Sequence, residues 1–388
     1  MDFGPGLILP RIYAITDRTV SGIDSHAEIA RRLFSVGIRL LQIREKEMAD
    51  RDLVAQVDET AALARSNGSL VIVNDRVDVA LVAGTGVHLG EEDLPAAEAR
   101  KILPAGAVVG VSTHDVEAAR RALRDPACDY VAYGPVFSSA TKTVRGARGL
   151  EELARAAEGR SKPLVAIGGI TAETLDSVFD AGADSAAMIA GLSAGGAVRI
   201  EGKARRALDV ARRREIPGRI YLVGFMGSGK TAIGRRIAER LDRPFVDLDA
   251  EIERTSGVTI RALFESDGEA AFREREAAFL EGTEALPGAV VATGGGCYVR
   301  EGNRRAISKL GTAVFLDVPL PALLPRLAGK TDRPLFRDAE QAARLYAERE
   351  PFYRMQTVCV RLEGDSVEHA ADRVLDALAD PGRRRPVL

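Results

Sequence analysis

The run Gly224-Phe225-Met226-Gly227-Ser228-Gly229-Lys230-Thr231 satisfies G-x-x-x-x-G-K-[ST] at every specified position. An apolar run, residues 220–223, precedes it, and Ile233, Ile237 and Leu241 follow at helical spacing. Strand, glycine loop and helix in that order require a parallel α/β arrangement. Successive backbone N–H groups and a helix N-terminus then face a phosphate. Lys230 is expected to reach the β/γ-phosphates and the Thr231 hydroxyl to face Mg²⁺. An ordinary glycine-rich turn would need none of these flanks.

The motif lies past mid-chain, so the larger first part needs its own account. A length of 388 residues corresponds to two domains, or three. Hydrophobic content of 46% and charged content of 28% are those of a soluble globular protein. The net charge of −2 gives no global field for nucleic acid or an anionic membrane, so neither is expected as a partner. No apolar stretch reaches the ~18 residues of a membrane span. Residues 1–10 have neither a basic n-region nor a cleavage-like site, so no signal peptide is expected. Cys128, Cys297 and Cys359 share no C-x-x-C spacing. They are expected to be buried packing in a protein of the reducing cytoplasm.

From residue 12 onward, apolar runs alternate with helical patterns. The runs are 12–16, 40–44, 70–74, 86–89, 108–112, 129–134, 164–169 and 185–190. The first helix opens on a capping box, Ser25-His26-Ala27-Glu28, and the last covers about 199–214. Eight β/α units in so short a stretch predict a (β/α)8 TIM barrel, with a doubly wound open sheet as the alternative. In a barrel, chemistry belongs at the carboxyl ends of the strands. Polar residues collect there: Gln42, Arg44 and Lys46; Asn74 and Asp75; Asp93; Ser112 and His114; Ser139, Thr141 and Lys142; Gly168 and Gly169. Two carboxylates among cations suit Mg²⁺ bound together with substrate phosphates. Taken singly, Asp75 reads also as a helix N-cap, Asp93 as a turn carboxylate, and His114 as a loop histidine capping the next helix.

Residues 10–195 or so resemble thiamine-phosphate synthases. The matching stretches are QIREK at 42–46, NDRVDVA at 74–80, GVHLGEEDLP at 86–95, GVSTH at 110–114, DYVAYGPVFSSATK at 129–142 and AIGGIT at 166–171. The resemblance implies Mg²⁺-dependent joining of hydroxymethylpyrimidine pyrophosphate to a thiazole phosphate, with release of pyrophosphate. It implies that Asp75 and Asp93 hold Mg²⁺. Arg44, Lys46, Ser112 and Lys142 would grip the pyrophosphate, with Ser112 and Lys142 catalytic, and Gln42 and Asn74 would lie near the pyrimidine. Ser139, Thr141, Gly169, Ile189 and Ala190 would lie near the thiazole phosphate. The chemistry agrees: loss of pyrophosphate builds negative charge that fixed cations stabilise, and no protein nucleophile is required. Thiazole tautomerases share the barrel and much of this text but lack the acid matching Asp93; in that reading His114 is an acid–base candidate.

The joint from Lys203 to Arg214 is basic but lacks interleaved aromatics, so it reads as a solvated face of the last barrel helix and not as a nucleic-acid stripe. Beyond the glycine loop, Asp247 and Asp249 are two apart and are expected to share one side of a strand, as a magnesium-shell carboxylate and a substrate-hydroxyl partner; capping of the helix near Ala250 is the plainer reading. Arg273 and Glu276 are i, i+3 neighbours. Gly294–Gly296 follow a strand predicted over 290–293, helices are expected over 322–328, 339–349 and 367–378, and residues 327–338 read as a basic lid.

Residues 219–380 resemble shikimate kinases in GFMGSGKT, DLDAEIE (247–253), GEAAFRERE (268–276), TGGG (293–296), TDRPLF (331–336) and YAEREPFYR (346–354). The resemblance implies that Gly227, Ser228, Gly229, Lys230, Thr231, Ala232, Arg326 and Arg333 bind ATP, and that Thr231 and Asp247 serve Mg²⁺. Asp249 would activate the substrate hydroxyl, and Arg273, Gly295 and Arg349 would hold shikimate. Lys230, Asp249 and Arg333 would be catalytic. Gluconate kinases share the fold, but Arg273 and the glycine run point away from them. The whole is expected to be a bifunctional cytoplasmic enzyme acting on small molecules: a barrel over 1–214, a linker at 215–218, a P-loop kinase with a parallel sheet over 219–380, and a disordered tail at 381–388. Two matters stay open: a homo-oligomer, and a kinase fused to a tautomerase-like or non-catalytic phosphate-binding barrel.

Overall fold

The computed structural model describes residues 7–138, 146–327, 339–355 and 357–380. It divides into two compact units, Met1–Ala211 and Arg212–Leu388.

The first unit is a closed parallel barrel in chain order. Its strands are β1 (Ile12–Thr16), β2 (Leu40–Ile43), β3 (Leu70–Asn74), β4 (Gly86–Leu89), β5 (Val109–Thr113), β6 (Tyr130–Tyr133), β7 (Leu164–Ile167) and β8 (Ser185–Met188). β8 returns to β1, with Ala186 opposite Ile12, which excludes the open sheet. Alternation along each strand builds two separate cores. Ile12, Ala14, Leu41, Ile43, Val71, Val73, Val131 and Ala166 face the surrounding helices. Tyr13, Ile15, Leu40, Ile72, Tyr130, Ala132, Val165 and Ala187 fill the interior. The same alternation turns Gln42, Asn74, His88 and Ser112 inward at the carboxyl ends of β2 to β5. Ser25 caps the helix His26–Ser35 by accepting from the Glu28 amide at 3.2 Å, as predicted. Asp75 is not the N-cap of the next helix: it stands at φ +65°, and Arg76 precedes Val77–Ala83 without a side-chain cap. Nor does His114 cap: Asp115 accepts from the Ala118 amide at 2.8 Å.

The second unit is a five-stranded parallel sheet in the order β10-β11-β9-β12-β13. Its strands are β9 (Arg219–Val223), β10 (Phe245–Asp247), β11 (Val290–Ala292), β12 (Gly311–Asp317) and β13 (Val358–Arg361). β9 sits centrally, with β11 on one side and β12 on the other, so the crevice where an open α/β sheet takes its ligand lies beyond β9. Both faces are covered, and Ile220, Tyr221, Leu222 and Val223 are all buried. Strand β10 is shorter than predicted. It stops at Asp247, whose Oδ1 accepts from the Ala250 amide at 3.3 Å and starts the helix Leu248–Ser256. Asp249 therefore stands in a helical first turn, and the shared strand face predicted for the two acids does not form. The helix Ala339–Tyr353 outruns its predicted end and passes through Pro351. Packing overrides propensity there: Tyr353 is fully buried with its ring 5.3 Å from that of Phe315.

The basic joint is only partly solvated. Arg212 is buried, paired with Asp376 and 3.9 Å from Asp372 within the second unit. Cys128 and Cys297 are buried as expected, whereas Cys359 is half-buried beside Asp317 and Arg354. Among the described residues, no helix is long and apolar enough to cross a membrane. The tail 381–388 and most of the expected lid, residues 328–338, lie outside the described residues.

Candidate active sites

At the barrel rim, β2 ends in Gln42, Ile43 and then Arg44, whose Nη1 lies 3.0 Å from Oδ2 of Asp17. Glu45 anchors the following turn. Its Oε1 accepts from the backbone amides of Lys46 and Glu47, each at 2.8 Å, and its Oε2 meets Arg18 at 2.6 Å and His26 at 3.1 Å. Despite partial burial, the Arg18 hydrogen bond and these amides draw the Glu45 carboxyl down to about 2. The turn thus presents two cations, Arg44 and Lys46, on an anionic footing fixed at neutral pH.

Asp75 and Asp93 come together within electrostatic reach of those cations, hydrogen-bonded to each other. Burial first, and then Asp93, push the Asp75 carboxyl up to about 6, while Lys46 and Arg44 pull it down. Asp93 is also the turn carboxylate the sequence allows: its Oδ2 accepts from the Gly90 amide at 2.6 Å. Two adjacent carboxylates beside cations are a donor set suited to a hard divalent cation that carries a phosphate.

Inside the rim a hydrogen-bonded chain crosses the barrel. Gln42 Nε2 donates to the Tyr13 hydroxyl at 2.9 Å, and the Tyr13 and Tyr130 hydroxyls are 2.8 Å apart. Tyr130 meets His88 Nδ1 at 2.9 Å, and His88 Nε2 meets Ser112 Oγ at 2.9 Å. Tyr13, His88 and Tyr130 escape sequence reasoning, because an aromatic in an apolar strand reads as core. The only available signal is alternation, which places all three on the inward face. Gly169 adopts φ +64°, and a Cβ there would meet the Ser138 carbonyl at 2.6 Å. Ile189 and Ala190 open the one-turn helix Ala190–Ser193 after β8. His114 Nδ1 contacts the Gly134 carbonyl oxygen at 2.6 Å. Ser139, Thr141 and Lys142 lie outside the described residues.

In the second unit, the glycine loop joins β9 to the helix Lys230–Leu241. Gly227 and Gly229 stand at φ +78° and +92°, conformations that L side chains rarely adopt. Lys230 Nζ donates to the carbonyls of Gly224 and Phe225 at 2.8 and 2.9 Å, which folds it over the loop. Ser228 Oγ is buried and has no hydrogen-bond partner among the described residues, so the loop holds a hydroxyl that a phosphate oxygen would satisfy. Thr231 Oγ1 donates to Asp247 Oδ2 at 2.6 Å, and Ala232 follows in the same first turn. From the helix Leu320–Leu327, Arg326 Nη1 reaches the Gly227 carbonyl oxygen at 3.3 Å. Arg333 lies outside the described residues.

Beyond β11, three glycines let side chains close in on the backbone. A Cβ at Gly294 would stand 2.7 Å from Asp249 Oδ1 and 2.8 Å from Glu276 Oε1; one at Gly296 would stand 2.8 Å from the Arg273 guanidinium carbon; one at Gly295 would stand 3.8 Å from Arg349 Nη1. Asp249, Arg273, Gly295 and Arg349 therefore meet around one short loop. Arg273 forks between Glu269 at 3.0 Å and Glu276 at 3.1 Å. Tyr353, bonded to the Gly295 carbonyl oxygen, stands by Arg349. Glu276, which reads in the sequence as half of a surface pair, is completely buried. That burial pushes its carboxyl up to about 7, against the pull of Arg273 and with the help of Asp249.

The family model described as thiamine monophosphate synthase matches residues 12–192, and the model described as shikimate kinase matches residues 226–379. A thiamine-phosphate synthase of Methanoculleus marisnigri is 40% identical over 206 residues, which is 53% of this chain and 97% of that protein. A shikimate kinase of Ruegeria pomeroyi is 45% identical over 168 residues, 41% of this chain and 84% of that protein. A shikimate kinase of Neisseria meningitidis is 42% identical over 165 residues, 42% of this chain and 96% of that protein.

Proposed function

Because the chain belongs to both the thiamine-phosphate synthase and the shikimate kinase families, we propose that it is a bifunctional cytoplasmic enzyme. Its barrel makes thiamine phosphate from hydroxymethylpyrimidine pyrophosphate and thiazole phosphate, releasing pyrophosphate. Its P-loop unit transfers the γ-phosphoryl group of ATP to shikimate, giving shikimate 3-phosphate and ADP. The observation that carries the first half is the pairing of Asp75 with Asp93 within electrostatic reach of Arg44 and Lys46. The one that carries the second is the convergence of Asp249, Arg273 and Arg349 on Gly294–Gly296.

In the barrel, Asp75 and Asp93 would hold Mg²⁺, which supplies positive charge to the departing pyrophosphate when bound. Arg44, Lys46, Ser112 and Lys142 grip the same group, and their charge counts most as the C–O bond breaks. Gln42 and Asn74 orient the pyrimidine, and Ser139, Thr141, Gly169, Ile189 and Ala190 take the thiazole phosphate. In the kinase, Gly227, Ser228, Gly229, Lys230, Thr231 and Ala232 cradle the ATP phosphates, with Arg326 and Arg333 beside the nucleotide. Thr231 and Asp247 would serve Mg²⁺. Arg273 and Arg349 clamp the shikimate carboxylate, a geometry guanidinium groups suit. Asp249 takes the hydroxyl proton as the new P–O bond forms and the bond to ADP breaks. The barrel is assigned to 1–214, the linker to 215–218 and the kinase to 219–380.

The test assays both reactions on one preparation with Mg²⁺, using wild type, Asp93→Ala, Lys142→Ala and Lys230→Met. Asp93→Ala and Lys142→Ala should abolish thiamine phosphate while shikimate phosphorylation persists; Lys230→Met should do the reverse. Wild-type protein that phosphorylates shikimate but yields no thiamine phosphate would sink the synthase assignment.

A further inference from the structure

We propose that Tyr13, Tyr130 and His88 are positioning residues. They form a hydrogen-bond relay through the barrel that ties the Gln42 amide to Ser112 and, with that amide's N–H turned toward Tyr13, keeps the Ser112 hydroxyl as a donor toward departing pyrophosphate. The proposal rests on the synthase reading of the barrel.

The relay joins five strands: β2 (Gln42), β1 (Tyr13), β6 (Tyr130), β4 (His88) and β5 (Ser112). Its four links measure 2.8 to 2.9 Å. Tyr13, Gln42, His88 and Tyr130 are all buried, so water does not complete their hydrogen bonds from the surface. Direction follows from counting protons. Each tyrosine hydroxyl has one proton to give. Gln42 donates to Tyr13, and among the described residues the Tyr13 hydroxyl meets only Gln42 and Tyr130. The Tyr13 proton must therefore go to Tyr130, since the opposite choice would bury a hydroxyl proton with no acceptor. Tyr130 then spends its own proton on His88 Nδ1. That nitrogen must be bare, so the imidazole proton lies on Nε2 and points at Ser112 Oγ. Ser112 receives a hydrogen bond and keeps its proton for a ligand at the rim.

The heavy atoms leave this arrangement little freedom. The His88 ring stacks on Tyr130 with centroids 5.5 Å apart and planes 22° apart. The Tyr130 ring occupies the space a side chain at position 110 would take: a Cβ on Gly110 would overlap it. What can change is the polarity of the relay. Turning the Gln42 amide over would present Oε1 to Tyr13, reverse all four bonds and commit the Ser112 proton to His88. A pyrimidine that offers a donor to Gln42 Oε1 holds the productive polarity. A ring that offers an acceptor there favours the reversed one and withdraws Ser112 from the leaving group. Recognition of the ring and stabilisation of pyrophosphate are coupled through protons alone.

A double-mutant cycle tests this by single-turnover formation of thiamine phosphate. Tyr130→Phe and Ser112→Ala should each slow the reaction roughly tenfold or more, the usual range for losing a hydrogen bond to a charged group. The double variant should be no slower than Ser112→Ala. Multiplicative slowing, or an unaffected Tyr130→Phe, overturns the relay. A second pair does not depend on the Tyr130 variant folding. His88→Gln carries an amide N–H to the Nε2 position and should retain most of the rate; the shorter His88→Asn should fall to the Ser112→Ala level. Equal loss in both also overturns the relay. Absence of product from wild type is a separate result: it removes the synthase reading and the relay with it.

Discussion

Glu276→Gln should stabilise the kinase unit above neutral pH and impair it as an enzyme. Glu276 is wholly buried, and its carboxyl titrates near 7 instead of the usual 4.5. At about 1.4 kcal/mol per pH unit, the ionised form is disfavoured by roughly 3 kcal/mol. This is a net figure: the attraction of Arg273 is already included, and desolvation still outweighs it. Between about pH 4.5 and 7 the folded protein holds a proton that the unfolded chain has released. Wild-type stability therefore falls as pH rises through that window, and the loss is complete above it. Glutamine has the same shape and no charge to desolvate. The variant should match wild type at pH 4.5 and gain up to ~3 kcal/mol by pH 8. Urea unfolding at a series of pH values, read by hydrogen exchange in peptides covering β11 and the helix Gly268–Gly282, measures the gain in the right unit. Arg273 would meanwhile keep its contact with Glu269 and swing from Gly296, so KM for shikimate should rise roughly tenfold, as for a lost charged hydrogen bond. Equal unfolding midpoints at pH 8, or the same gain at pH 4.5 as at pH 8, would refute the reasoning.

Three further outcomes are expected. Thr231→Val removes the hydroxyl that meets Asp247; phosphorylation of shikimate should fall at least tenfold, partly restored by excess Mg²⁺, with thiamine phosphate synthesis unchanged in the same sample. Asp75→Asn keeps a residue that tolerates φ +65° while removing one of two adjacent carboxylates. Protection of β3 and β4 amides by added Mg²⁺, measured by hydrogen exchange, should disappear. Gly110→Ala drives a methyl into the Tyr130 ring; it should destabilise the barrel by about 1–3 kcal/mol in urea unfolding and slow the synthase in the variant that remains folded.

Strand positions were legible because each β/α unit repeats an apolar run bounded by turn residues. Closure was not: only pairing of β8 with β1 decides it, and pairing leaves no local trace. The grouping of Asp75 with Asp93 followed from strand ends meeting at one rim. The grouping of Asp249 with Arg273 and Arg349 followed from family resemblance; the local geometry inferred for Asp249 failed, since Asp247 caps a helix one residue after the strand ends. Glu276 was hidden because i, i+3 spacing looks alike on a surface and in a core. Tyr13, His88 and Tyr130 were hidden because their chemistry lies in contacts across the barrel. Helix continuation through Pro351 was hidden because burial of Tyr353 outweighs a local preference.

The division between Ala211 and Arg212 falls inside the helix Ala197–Glu215. Arg212 pairs with Asp376 and lies close to Asp372, and Asp372 is shared with Arg240 at 2.8 Å. A kinase piece trimmed to start at Arg219 would keep the whole glycine loop yet remove the buried cation that pairs with Asp376. A piece meant to carry the kinase alone should therefore begin no later than Arg212, ahead of the assigned start at residue 219.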